Sequence, residues 1–449
     1  MAVVRSFAKR VDAVVVGGGI AGSCAAAALA REGLDVLVCE PGLPSNRRLA
    51  GELMHPPAAR HLEELGLLEP LERAGAAPVY GFAVFRGPED RGMLLSYSEV
   101  AGGRTSSIAI EHATMTRTLL EAVRGRRHVE VRDGARVVAI EPRGDRTAVT
   151  IEQNGERELV GAPLVVLADG RGSKLGKSVG LDIERGPEIQ MVGWRVPGGR
   201  LPWPGYAHVF AHGGQATLAY AISASEVRVM FEIGAGEELD VAARLARLPR
   251  PFRDDVARAI ETEPRLVAKV FAVSTPTIVQ GRVAMVGDAG GCVHPLTASG
   301  IAFCTRDAVE LARTVGEGYR ADGTFGVPAA LSRYAADRRD PMRARAALGP
   351  ALVDALTSDS PEMEVLRHGL FHYWSTSARG RRSSLGLLST EHLRSTTLVR
   401  EYASVCAHSL RAALDGTVPR EMLRPALVGA ARRATRAVLD ARRAAAVRG

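Results

Sequence analysis

Residues Asp12 to Glu40, DAVVVGGGIAGSCAAAALAREGLDVLVCE, constrain the fold more than any other stretch. A β-branched run (Asp12 to Val16) enters a glycine turn (Gly17 to Gly22), and an alanine-rich helix follows to Arg31. A stop near Gly33 then leads into a second apolar strand, Asp35 to Cys39, closing on Glu40. This is a βαβ unit. Gly17-x-Gly19-x-x-Gly22 between strand and helix is the dinucleotide fingerprint: its glycines permit a tight turn, close approach of backbone to a pyrophosphate, and close helix packing. Ile20 lies in that turn and Ala21 starts the helix, and both are cofactor-site candidates; Glu40 is placed to bind a ribose hydroxyl pair. The uncharged run Ala13 to Ala30 is long enough to span a membrane, but Gly17, Gly18, Gly19 and Gly22 divide it into strand, turn and helix.

A chain of 449 residues exceeds one ordinary hydrophobic core, so two intimately joined subdomains are expected. Cys24, Cys39, Cys292, Cys304 and Cys406 are widely spaced on apolar segments. They fit neither a disulfide framework nor a zinc site, and no metal site is expected. A cytoplasmic location fits this usage, with no signal peptide or membrane span. The net charge of +8 is carried almost wholly by arginine, and no nucleic-acid module or aromatic platform accompanies it. From Leu423 onward seven arginines face one acid, Asp440. That segment reads either as a solvated terminal helix packed on its own domain or as a peripheral membrane contact.

Further along, Pro56 to Leu68 and Thr116 to Val123 read as helices, and Val129 to Ile151 as strands split by turns. Met191 to Ile233 suits an antiparallel sheet over a ligand, and from Ala308 the pattern is helical. Trp194, Trp203, Phe210, Tyr220 and Phe231 are candidates to line a pocket between that sheet and the helical tail, although core packing accounts for each equally well. Two more strand exits carry acids: Asp169-Gly170 in VVLADGRGSKLGK, and Gly287-Asp288 in RVAMVGDAGGCVHPLTASGIAFCTR. The loop after Asp288, preceding a helix that begins near Ala302, would aim N–H groups at an electron-rich ring.

In this order the three elements resemble those of FAD monooxygenases with one Rossmann-like domain, known by their GxGxxG, DG and GD motifs. Within that superfamily the chain is most similar to squalene epoxidase and related olefin epoxidases. It shares RRLAGELMHP at Arg47 to Pro56, Ala-Asp-Gly-x-x-Ser-Lys within Val166 to Ser178, and Gly-Asp-Ala followed by His-Pro-Leu-Thr at Gly287 to Thr297. Where that group commonly has Thr-Gly-Gly-Gly, this chain has Thr297-Ala298-Ser299-Gly300.

The resemblance implies an α/β fold, with a Rossmann-like FAD-binding domain (residues 1–80, 105–180 and 270–330) interleaved with an antiparallel-sheet substrate domain (81–104 and 181–269). A C-terminal helical region (331–449) follows. It implies that Gly17, Gly19 and Gly22 hold pyrophosphate, Glu40 the adenosine ribose, Arg48 and Arg117 phosphate or ribityl groups, and Asp288 the ribityl chain. Asp169, Gly287, Pro295, Gly300 and Ile301 join this cofactor set, and Glu52 is an even choice between it and a role elsewhere. The implied chemistry is epoxidation of a double bond in an apolar metabolite (a terpenoid, prenylated aromatic or polyene) through a flavin peroxide, with water exclusion as the protein's main task and no obligatory side-chain base.

Electrons would come from NADPH or NADH through a separate flavin reductase or electron-transfer partner. Aromatic hydroxylation, or reduction of isoprenoid double bonds as in geranylgeranyl reductases, are the alternatives. A halogenase fits less well, because its Trp-x-Trp-x-Ile-Pro segment has no counterpart. Of the flavin-loop candidates His294, Pro295, Thr297 and Gly300, the histidine reads as either catalytic or structural. His368 and His372 lie four apart on a probable helix without a metal-binding acid pattern.

Overall fold

The computed structural model describes residues 7–43, 49–100, 104–212, 215–234 and 236–416, with 418, 422, 424 and 428. The chain adopts the expected α/β class. Its organising element is a six-stranded sheet ordered Val279–Gln280, Val283–Met285, Leu164–Leu167, Ala13–Val16, Val36–Glu40 and Val129–Asp133. Only the first pairing is antiparallel. The four central strands are buried on both faces, which is why they read as unbroken apolar runs. Val16 lies opposite both Leu167 and Cys39, and Leu167 opposite Met285. Gly17, Ala168 and Val286 therefore leave the sheet side by side at its carboxyl edge.

A seven-stranded sheet stands beside it, ordered Leu266–Ser274, Glu184–Pro197, Glu226–Ile233, Gln215–Ala221, Ala207–His212, Gly81–Phe85 and Met93–Ser96. Alternation gives this sheet two different faces. Met191, Tyr220 and Met230 project inward and share an apolar cluster with Leu296 and with Leu370, Phe371 and Trp374 of the helix Pro361–Thr376. Trp194, Phe210 and Phe231 project the other way, onto the helix Phe252–Thr262. Trp203 lies in a turn, half-exposed, its ring N–H donating to the Arg91 carbonyl. Of the five aromatic residues considered as pocket walls, Tyr220 alone faces inward. A four-stranded sheet (Lys9–Arg10, Glu156–Ala162, Arg146–Gln153, Arg136–Arg143) completes the strand-rich part.

The single helix expected over Pro56 to Leu68 is two, Pro56–Glu64 and Leu68–Arg73, because Gly66 takes φ 63° and ends the first. The helix around Thr116 is longer than its apolar core, spanning His112–Arg124. Helices Gly300–Asp322, Val327–Thr357, Pro361–Thr376, Ala378–Leu388 and Ser395–Leu414 form the C-terminal region. Among the described residues no helix is long and apolar enough to cross a membrane. The arginine-rich stretch from Leu423 falls, apart from Arg424 and Val428, outside the described residues.

The helical region is locked to the central sheet by a buried ion pair. Arg338 donates from Nε to Asp307 Oδ1 at 2.8 Å and from Nη1 to the Gly290 carbonyl at 2.9 Å. The other Asp307 oxygen accepts the Gly287 N–H at 2.9 Å. Removing one member of such a pair leaves the other charge buried and uncompensated. Asp307→Ala is therefore expected to lower unfolding free energy by about 3 kcal/mol or more, read as a shifted urea midpoint at unchanged slope, whereas Asp307→Leu with Arg338→Met should restore most of the loss.

Candidate cofactor and substrate site

At the carboxyl edge the three glycines of the first turn answer to different demands. Gly17 has φ 97°, and a Cβ there would lie 2.8 Å from the Ala168 carbonyl oxygen. A Cβ on Gly22 would overlap the Gly17 carbonyl oxygen. Both are required by protein packing. Among the described residues nothing beyond its chain neighbours lies within 4 Å of a Cβ built on Gly19, which is the N-cap of the helix Ile20–Arg31 and offers no side-chain cap. The space before Gly19 and the uncapped N–H groups of Ile20 and Ala21 suit an anionic pyrophosphate. Glu40, buried at the end of its strand, accepts from the Gly18 N–H at 2.6 Å and the Gly42 N–H at 2.7 Å, which fixes its carboxylate beside the turn.

The other two exits interlock. Arg171, two residues beyond Asp169, donates to Asp288 Oδ2 at 3.1 Å. Asp169 accepts the Ser173 hydroxyl at 2.8 Å, and Ser173 in turn caps the helix Lys174–Ser178. Burial raises the Asp169 carboxyl above the ordinary range, and the Ser173 bond opposes that. Beyond Gly287, Pro295–Thr297 forms a 3-10 turn and Ala298 takes φ 48°, the left-handed region that favours glycine. The helix Gly300–Asp322 then starts without a side-chain cap, and the nearest atom to a Cβ on Gly300 is Asp288 Oδ1 at 3.9 Å. A second uncapped helix end thus opens next to Asp288, with Ile301 in its first turn. These donors and acceptors, in the order glycine turn, Glu40, Asp288 and loop, fit FAD.

Arg345, on the long helix Val327–Thr357, holds this loop from behind. Its Nε donates to Ser299 Oγ at 3.0 Å, its Nη1 to the Gly291 carbonyl at 3.1 Å, and its guanidinium lies 4.3 Å from the Phe303 ring. Ser299 Oγ also meets Thr297 Oγ1 at 2.8 Å. From the opposite side His55, wholly buried, contacts the Thr297 carbonyl through Nε2 at 3.0 Å and the Tyr97 hydroxyl through Nδ1 at 2.9 Å. Burial holds this imidazole down at about 4, so it is neutral, with Nε2–H donating and Nδ1 accepting.

His294 is placed differently. Its Nδ1 accepts from the Leu296 N–H at 3.2 Å, capping the 3-10 turn, and its Nε2 lies 3.4 Å from Glu232 Oε1 without hydrogen-bond alignment. That contact gives it a structural part in shaping the loop. Glu52 is turned into the protein, where Arg228 donates to its two oxygens at 2.7 and 2.9 Å. Arg117 is exposed on the helix His112–Arg124, one turn before Leu120, whose side chain abuts Gly18. Arg48 lies outside the described residues. His372 faces His408, Nδ1 to Nδ1 at 3.0 Å, rather than forming a site with His368. His55, Tyr97, Arg171, Arg228, Arg338 and Arg345 were not among the sequence candidates. Only His55, directly before the Pro56 that opens a helix, carries a local signal.

The FAD binding domain family matches residues 10–347. Mouse squalene monooxygenase is 26% identical over 418 residues, covering 90% of this chain and 72% of that protein. Squalene epoxidase 6 of Arabidopsis thaliana is 25% identical, covering 89% of this chain and 80% of that protein. In fold the chain is similar to p-nitrophenol 4-monooxygenase from Pseudomonas putida, with a TM-score of 0.71 at 20% identity over 86% of this chain and 98% of that one.

Two outcomes follow from the geometry. Gly19→Ala, whose new methyl group enters open space, should fold with a stability loss of no more than the roughly 1 kcal/mol that a poorer N-cap costs yet bind FAD about tenfold or more weakly, whereas Gly22→Ala should lose both. His55, His61 and His208 are all held at about 4, chiefly by burial, against about 6.5 in the unfolded chain. The unfolded state therefore takes up protons first as pH falls. Stability present above about pH 6.5 is lost toward pH 4, and His55→Gln should lessen that slope by up to about 1.4 kcal/mol per pH unit in urea titrations.

Proposed function

Since the chain belongs to the FAD binding domain family, we propose that this FAD-dependent monooxygenase epoxidises a carbon–carbon double bond of an apolar metabolite, of terpenoid, prenylated aromatic or polyene type. The observation that carries the reading is the joining of the flavin loop, through Leu296, to an apolar cluster walled by the inward face of the seven-stranded sheet and the helix Pro361–Thr376. Likeness along most of the chain to squalene monooxygenase and epoxidase supports an alkene as the reacting group.

When bound and reduced, FAD would supply the electrons that activate dioxygen, one atom of which is inserted while the other leaves as water. The protein's part is binding, orientation and dryness. The uncapped ends of the helices beginning at Ile20 and Gly300 would face the pyrophosphate and the ring, Glu40 would accept from ribose hydroxyls, and Asp288, steadied by Arg171, would meet the ribityl chain. His55 and Arg345 fix the loop backbone on its two sides, so its N–H groups need no reorganisation during reaction. Apolar walls exclude water, which would otherwise divert the activated oxygen.

Three of the polar groups identified along these walls are neutral or paired. His55 donates to a carbonyl, burial keeps the Tyr97 hydroxyl protonated, and Glu52 is bound to Arg228. None is a free base of the sort that deprotonates a phenol, which favours an olefin over a phenolic substrate. The likeness to squalene epoxidase supports delivery of reducing equivalents from NADPH or NADH through a separate reductase, whereas an aromatic hydroxylase would bind NAD(P)H transiently over the flavin.

The test uses the purified FAD-loaded protein. NADPH alone should leave the flavin oxidised under anaerobic conditions, and a reductase should bleach it. Supplied with isotopically labelled dioxygen and an apolar alkene, the reduced enzyme should place label in an epoxide. Hydroxylation without epoxide, or anaerobic gain of two hydrogens by the alkene, would overturn epoxidation.

A further inference from the structure

The inward face of the seven-stranded sheet carries a guanidinium whose hydrogen bonding is incomplete. Arg228 lies on the same face of its strand as Met230, opposite Tyr220 on the neighbouring strand, and Arg228 and Glu52 are each 1% exposed. Arg228 Nε donates to Glu52 Oε2 at 2.9 Å, Nη2 donates to Oε1 at 2.7 Å, and the Tyr220 hydroxyl donates to Oε2 at 3.4 Å. Nη1 is buried and has no hydrogen-bond partner among the described residues.

Packing does not explain this arrangement. A buried ion pair is commonly no more stable than apolar side chains of the same volume, and a buried N–H without an acceptor is costly. The place is informative too. A Cβ on Gly51, the neighbour of Glu52, would lie 4.0 Å from Ile301 in the first turn of the flavin-loop helix. Leu49 and Leu53 on either side belong, with Leu296 of the loop, to the inward apolar cluster. The Glu52–Arg228 pair thus borders the apolar cluster that joins the flavin loop.

Its electrostatics narrow what it can receive. Glu52 neutralises Arg228, and the adjacent Arg195 is paired with Glu111 and lies 3.9 Å from Glu226, so the set carries no excess positive charge. An anion would meet the Glu52 carboxylate, and a cation the guanidinium. A neutral oxygen meets neither penalty and accepts the spare N–H.

We propose that Arg228 Nη1, oriented by Glu52 and Tyr220, is a specificity-determining donor for a neutral oxygen acceptor, such as a ketone or ester carbonyl, on an otherwise apolar alkene. The site then selects oxygenated substrates over pure hydrocarbons. This deepens the monooxygenase reading and rests on it for the placing of the substrate, but its test does not require turnover.

Binding to the FAD-loaded protein is measured by calorimetry with three probes: geranylacetone, its isostere with C=CH2 in place of C=O, and the same chain ending in a carboxylate. The ketone should bind about tenfold or more tightly than the isostere, and the carboxylate no more tightly than the isostere. Arg228→Met with Glu52→Leu removes both charges together, and should bring the ketone-to-isostere ratio to about one. Glu52→Gln leaves the guanidinium uncompensated and should turn the preference toward the carboxylate. If neither variant folds, the wild-type ratios decide. Equal wild-type affinity for ketone and isostere, tightest binding of the carboxylate, or no binding of any probe overturns the proposal. So does a double variant that folds and keeps the ketone preference. A wild-type ketone preference without oxygen incorporation into any alkene would instead sink the monooxygenase reading and leave the donor assignment standing.

Discussion

The parallel register of Ala13–Val16, Leu164–Leu167 and Val283–Met285 is the constraint on which the rest of the site depends. Three segments far apart in sequence end at one level because Val16, Leu167 and Met285 are ladder neighbours. A slip of one residue would turn the side chains to opposite faces and displace one loop from the others. Within the central strands buried on both faces, Glu40 at the end of its strand is the one charged side chain, and the glycine turn holds it in register. The cofactor site is thereby a consequence of sheet geometry before any particular contact is made, as expected at the carboxyl edge of a parallel sheet.

Strand register places the loops, but their shape after the sheet ends is set by the helical region. Arg338 and Arg345, both buried on one helix, bind the carbonyls of Gly290 and Gly291, and Arg345 reaches Ser299 as well. This gives a physical sense to the Thr297-Ala298-Ser299-Gly300 departure. Ala298 adopts a conformation that glycine reaches without penalty, at a cost of about 1 kcal/mol or more, and Ser299 supplies the hydroxyl that Arg345 and Thr297 share. A loop with glycine at both places would gain backbone ease and forgo that anchor.

What could be read from sequence was whatever is local. A glycine turn between strand and helix, and an acid one or two residues past an apolar strand, are complete within a dozen residues, so Gly17 to Gly22, Asp169 and Asp288 were legible as strand exits. Trp194, Phe210 and Phe231 were not legible as outward-facing, because alternation says which residues share a face and not which face meets the ligand. Glu52 was ambiguous for a related reason: its partner Arg228 is 176 residues away and is brought to it only by the packing of the antiparallel sheet. His294 and His55 make the same point together. The motif drew attention to the first, which caps its own loop, while the histidine that grips the loop from across the interface has no motif to mark it.

Four polar groups beside the inward apolar cluster share one property, which is charge balance. His55 is neutral through burial, Tyr97 is held protonated, and Arg228 and Arg195 each face a carboxylate. A chamber meant only to be dry would be better lined with hydrocarbon throughout, since each of these groups carries a desolvation cost. Balanced polar groups keep water out nearly as well, because no net charge draws it in, and they give the wall directional features that aliphatic side chains lack. Positioning and dryness are usually in tension, as the groups that orient a ligand also bind water. In the proposed site that tension would be met by pairing: orientation would come from donors whose charge is already cancelled within the protein.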